Sequence, residues 1–292
     1  MLERLFADDS KLARLVANED DAKKLQADID HFSAWANVWG MEFNVKKCKV
    51  MHVGRKNPKL PYWMNGEALD SVEEEKDLGV WMKDDLKPSL QCAKAAKSAN
   101  VALGMLLRSF HYRTKSTLVP LYKTFVRSRM EHAVAAWSPW LERDVEELEK
   151  IQKRLVRSLS DVHGGDYEER LRQAGLTTLK KRRERGDLIE TFKALKGFYK
   201  IDPDKWFNRA DQGTARETRS SVTVEDGMTT RNTEILYKPP ASHDIRNNFF
   251  TVRVVRPWNE LPEDVRSQKT VNSFKTALDG WQRLREENNQ TQ

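Results

Sequence analysis

Two adjacent carboxylates near the start of the chain, Asp8 and Asp9, are the residues best suited to chemistry. They follow Phe6 and Ala7 and lie between the runs Leu2–Phe6 and Lys11–Val16, which reads as two short strands joined by a polar turn. Like charges so close repel each other unless a cation sits between them. Hard oxygen ligands on a tight turn suit Mg2+, which keeps several waters and takes substrate phosphates. In nucleotidyl transfer two such ions, about 3.5–4 Å apart, stabilise the attacking and leaving oxygens. An isolated Ala-Asp-Asp more often decorates a solvated turn, so its neighbours decide. Two further groups have chemical interest: Lys46, Lys47 and Lys49, which also read as a solvated strand face, and the basic cluster Lys180, Lys181, Arg182, Arg183 and Arg185.

Hydropathy patterning outlines the elements that must position these groups. From Asn18 a helix is expected: Glu19, Asp20 and Asp21 suit its first turn, and Leu25, Ile29, Phe32, Trp35 and Trp39 recur at helical spacing before Gly40. Phe43–Val53 has strand character, 54–61 is a breaker-rich loop, and Leu78–Met82 reads as another short strand. Beyond Pro88 the pattern is helical. One stripe runs through Leu118, Tyr122, Phe125, Val126, Met130, Val134 and Trp137, another through Leu148, Ile151, Leu155, Val156 and Leu159, and Leu179–Tyr199 forms a further helix. Residues 208–244 are polar and read as a linker or poorly ordered loop, followed by a compact tail ending in a helix with Val271, Phe274, Leu278 and Trp281. The expected class is α+β and mostly helical, divided as 1–86, 87–207, 208–244 and 245–292.

Composition bounds the possibilities. With 39% hydrophobic residues over 292 positions the chain can fill a core. With 33% charged residues, a mean hydropathy of −0.74 and no long apolar run, a membrane-spanning helix is excluded and no membrane partner is expected. The start lacks the basic, apolar and small-residue pattern of a secretory signal, so an intracellular protein is expected. Two cysteines, Cys48 and Cys92, are too few for a disulfide framework or a thiolate zinc site. Charge is uneven: residues 1–86 carry 13 Lys/Arg against 17 Asp/Glu, residues 87–200 carry 24 against 13, and the remainder is balanced. A basic helical stretch of this kind is the electrostatic footprint of a nucleic-acid binder, although a solvated surface gives the same count.

Taken in order, these segments resemble the reverse transcriptase of LINE-type non-LTR retrotransposons. Phe6-Ala7-Asp8-Asp9 is similar to the catalytic hairpin of the polymerase palm, and Trp39 through Met51, with Gly40, Asn44 and Lys47, to the next palm motif. Lys76-Asp77-Leu78-Gly79-Val80 resembles the primer-grip hairpin. Leu121–Val126, Glu131–Trp140 and Leu148–Gln152 look like the helical thumb, and Phe249–Arg253, Trp258–Pro262 and Val271–Lys275 like the family's tail.

The resemblance implies a partial palm of short antiparallel strands plus one long helix, then a thumb-like bundle and a small tail unit. It implies Asp8 and Asp9 as catalytic metal ligands and Lys47 as a catalytic residue near the nucleotide phosphates. Leu78, Gly79 and Val80 would form the primer grip; Lys180, Lys181, Arg182, Arg183 and Arg185 are expected as a nucleic-acid contact from their charge, not from the resemblance. The partners would be an RNA template, a DNA primer and a dNTP, with Mg2+ or Mn2+ as cofactor in the complete enzyme and nucleus or cytoplasm as location. Fingers, the nucleotide-binding loop and the third palm aspartate have no counterpart upstream of the hairpin. The expectation is therefore a carboxy-terminal portion that holds metal weakly and does not extend a primer alone. A non-catalytic RNA/DNA-binding module and an unstable remnant are the alternative expectations.

Overall fold

A computed structural model describes residues 2–7, 9–209 and 234–290, and the chain divides into two compact units, 1–91 and 92–292. Helices dominate and the strands are short, so the class is α+β.

The first unit opens with a hairpin of β1 (Leu2–Phe6) and β2 (Asp9–Ala13), in which Phe6 pairs with Asp9. Helix α1 (Glu19–Val38) starts where the sequence signals it: Asn18 Oδ1 accepts from Asp21 N at 2.9 Å, and Asp21 reciprocates by accepting from Ala17 N. A 3-10 turn, Val45–Lys47, precedes β3 (Lys49–Met51), and then come β4 (Trp63–Met64), β5 (Glu67–Ala68), β6 (Asp70–Val72), β7 (Glu74–Asp77) and β8 (Val80–Lys83). Val16, Ala22, Ile29, Tyr62 and Met64 form the core, with Leu12, Leu25, Phe43, Val45 and Val50 packed against it. Gln26 ties helix to strand, its amide donating to Trp63 O at 2.8 Å and accepting from Trp63 N at 2.9 Å.

Three expectations change here. Trp35 and Trp39 stand exposed, because α1 turns Ala22, Ile29, Ser33 and Ala36 inward instead. The segment from Phe43 to Val53 is a strand only over three residues, and β3 pairs with β6 in parallel, not antiparallel. Among the described residues every ladder is two-stranded, so no continuous palm-like sheet forms; strands of two to five residues offer too little backbone to extend one.

The second unit begins in α2 (Ser89–Ser109), followed by α3 (Lys115–Leu121), a wide π-helical turn (Tyr122–Arg127), α4 (Ser128–Glu131) and α5 (Val134–Trp137). The wide turn follows Pro120, which has no N–H to donate. Then come α6 (Glu142–Ser158), α7 (Tyr167–Gln173), α8 (Leu179–Leu195), the pair β9 (Asn208–Arg209) and β10 (Leu236–Tyr237), and α9 (Asp244–Asn247), α10 (Phe250–Arg253), α11 (Val255–Asn259), α12 (Glu263–Arg266) and α13 (Val271–Gln290). Both expected stripes are core, apart from Val134, which is half-buried, and Phe125, which is 53% exposed.

Residues 245–292 do not stand apart as a tail unit. Leu188, Ile189 and Phe192 of α8 share one core with Phe207, Leu236, Trp258, Phe274 and Leu278, and Phe192 stacks on Phe274 at 4.3 Å. The polar stretch expected as a linker is anchored at both ends by β9 and β10; residues 210–233 lie outside the described residues. No described helix is long and apolar enough to cross a membrane.

Candidate nucleic-acid interface

Phe6 and Asp9 pair across the β1–β2 turn, and Ala7 occupies the left-handed region at φ 53°, as tight hairpin turns demand. Asp8 lies outside the described residues. Asp9 is exposed and is the first residue of β2, paired with Phe6 at the edge of the turn. Alternation along β2 puts Lys11 on the same face as Asp9 while Leu12 turns toward the core.

Lys11 reaches a second hairpin. Its Nζ lies 2.5 Å from Asp77 Oδ2 and 3.8 Å from Met82 Sδ, so the β1–β2 and β7–β8 hairpins are joined although 66 residues separate the ion pair in sequence. In the second hairpin Leu78 (φ 45°) and Gly79 (φ 87°) form the turn and Val80 starts the strand, correcting the expected strand over Leu78–Met82. Two successive left-handed residues twist the chain to match the flanking strands, and the Leu78 side chain is left half exposed. Sequence patterning missed Lys11; a cation two residues beyond Asp9, on the same strand face, was the signal available.

Lys47 sits exposed in the 3-10 turn, in no ion pair among the described residues. Lys49 instead binds Asp70 at 2.6 Å across the β3–β6 pair. Among the described residues no three His, Cys, Asp or Glu side chains cluster as a metal site. Asp8, the other carboxylate of the candidate pair, lies outside them.

Five basic residues on α8 were expected to face nucleic acid, and the structure disperses them. Arg182 forms a fork with Glu131 at 2.6 and 2.9 Å, Arg185 another with Asp279 at 2.6 and 2.8 Å, and Lys181 lies 2.9 Å from Glu286. Arg183 is buried, with its Nη2 unpartnered and its basicity lowered by loss of solvent. Lys180 alone of the five is exposed and without an ion pair among the described residues. Turning by 100° per residue, a helix packed between α6 and α13 cannot show five near-consecutive side chains to solvent.

What those cations do is structural. Beneath them Glu149 accepts from Leu179 N at 3.1 Å, capping α8, while Tyr167 OH also donates to it. Gln152 accepts from Tyr122 OH at 3.0 Å and donates to Thr177 O at 3.0 Å. Burial pushes both tyrosines well above their ordinary range, so they remain donors. Comparison with known proteins adds no neighbour: no family model, curated protein or solved structure matches the chain.

Proposed function

We propose that this chain is a palm-end and thumb-like segment of an RNA-directed DNA polymerase of the LINE-type non-LTR class, and that its own task is to hold the RNA/DNA hybrid. One observation carries this reading: the two hairpins whose residues resemble the catalytic and primer-grip motifs are physically joined through Lys11, Asp77 and Met82. A primer terminus resting on the half-exposed Leu78 would lie beside the face that bears Asp9. Asp8, Asp9 and Lys47 are assigned the metal and phosphate roles of the complete enzyme, and Leu78, Gly79 and Val80 the primer grip.

Photocrosslinking tests this. A hybrid whose primer ends in 4-thiothymidine is expected to label peptides containing residues 74–83. Labelling confined to other peptides, or none from a bound hybrid, would overturn the assignment.

A further inference from the structure

Within the basic stretch expected over 87–200, the excess is concentrated ahead of the α8 cluster that sequence patterning singled out. Residues 86–130 contain nine Lys or Arg and no Asp or Glu. On α2, Ala95, Ala96, Ala99, Leu103 and Leu107 are buried, whereas Lys97, Val101, Met105 and Arg108 are exposed on the opposite face. Neither Lys97 nor Arg108 is in an ion pair among the described residues. Two more exposed arginines flank this face: Arg129 Nη1 binds Ser98 Oγ at 3.0 Å on one side, and Arg154 Nη1 binds Asn100 Oδ1 at 2.6 Å on the other. Both are held by neutral oxygens, which fix their direction without cancelling their charge.

We propose that the solvent face of α2, with Lys97 and Arg108 along its centre and Arg129 and Arg154 at its flanks, is the surface on which this protein grips a nucleic-acid backbone. The proposal rests on the nucleic-acid reading above and relocates its contact from α8. Lys97 and Arg108 stand about 16 Å apart along the helix axis. At about 3.4 Å per phosphate on one strand, that distance spans four to five phosphates. Val101 and Met105, 55% and 56% exposed, fill the gap with apolar surface suited to sugar faces.

The pattern selects a uniformly anionic polymer. A protein partner would have to present an equally one-signed acidic patch, whereas a nucleic-acid backbone is anionic along its whole length, and this stretch offers no carboxylate. A membrane-surface helix dips an apolar face into lipid, but the apolar face of α2 is already buried within the protein.

Fluorescence anisotropy with the full chain and a labelled RNA/DNA hybrid, between 50 and 200 mM salt, tests the surface. The wild type is expected to bind with steep salt dependence. Losing two phosphate contacts in K97Q/R108Q should shrink that fourfold-salt effect by about twelvefold. R129Q/R154Q should shrink it too, and K180Q/K181Q should leave it unchanged. Because Lys97 and Arg108 are exposed, helical circular dichroism of K97Q/R108Q should match the wild type. Binding with an undiminished slope in both α2-face variants would overturn the surface while leaving the nucleic-acid reading intact. No hybrid binding by the wild type, or binding to phosphatidylserine vesicles alone, would overturn both.

Discussion

Cys92 and Cys48 illustrate how residue environment sets chemistry. Cys92 is fully buried, and its thiol is pushed up to about 12 by burial, reinforced by the negative charge of Asp144 and Glu147. Cys48 is partly exposed, and burial raises its thiol pKa against the opposing charge of Lys49. Thiol titration of the native chain at pH 8 should therefore give one reactive cysteine, Cys48, with the second appearing on denaturation; two fast native thiols would contradict the packing around α2. Above pH 9 the unfolded thiol ionises while folded Cys92 stays protonated, so stability should fall as pH rises from 9 toward 12. His52 carries the opposite signature. Burial lowers its pKa, outweighing the hydrogen bond with Asn57, so on acidification through 6.5 the unfolded state takes up protons first and the first unit loses stability. H52F, which keeps an aromatic ring beside Tyr62, should flatten the pH 7 to 5 decline seen in urea midpoints. At this scale the sequence shows Asp9 and the hairpin plainly, since patterning and turn residues are local. It does not show that Arg182, Arg185 and Lys181 are neutralised by Glu131, Asp279 and Glu286, because those partners lie between 51 and 105 positions away.

Elements are held by a few polar clamps that sequence patterning cannot reveal. Arg253 of α10 forks onto Asp187 of α8 at 2.8 and 2.9 Å and also donates to Ala135 O of α5 at 2.7 Å. Burial nonetheless raises the Asp187 pKa, so desolvation outweighs the arginine. Arg253→Ala would leave that buried carboxyl without its hydrogen-bonded partner, with only the nearby charge of Arg183, and should cost about 3–5 kcal/mol in chemical denaturation, whereas replacing both partners by apolar residues should cost much less. A cost below 1 kcal/mol for the single change would contradict the clamp. In β10, Asn259 plays the part Gln26 plays for β4: it accepts from Leu236 N at 3.0 Å and donates to Leu236 O at 2.8 Å. The Trp258-Asn259 dipeptide of the tail therefore has a packing role, with Trp258 fully buried and its Nε1 donating to Glu234 O. The β7–β8 turn departs from this economy. Leu78 occupies a left-handed conformation that costs a branched side chain about 1–2 kcal/mol. Leu78→Asn should raise the stability of the first unit by about 0.5–1 kcal/mol and weaken primer-end crosslinking; strain kept at an exposed apolar tip is expected of a contact residue. Unchanged crosslinking would remove Leu78 from the grip.

The chain as a whole behaves as two structures of unequal strength. Among the described residues the first unit rests on two-stranded ladders and six buried apolar residues, while one cluster of the second unit alone buries thirteen. Unfolding in urea should therefore take two steps, with helical circular dichroism beginning to fall before Cys92 becomes open to alkylation; a single loss of helical signal coincident with Cys92 exposure would show one cooperative unit. The helical class and the stripes of α6 and the α3–α4 run are legible in the sequence because helical spacing is a local signal. The joining of the tail to α8 is not, because it depends on Phe192 meeting Phe274 across 82 positions. Charge segregation is legible as a regional excess, but only the fold shows which cations remain uncompensated. The most direct measurement is the affinity of the purified, folded chain for a labelled RNA/DNA hybrid at two salt concentrations. Binding that weakens steeply with salt is predicted, by a slope of about 0.9 per phosphate contacted in a duplex. Absent or salt-insensitive binding would contradict the nucleic-acid account.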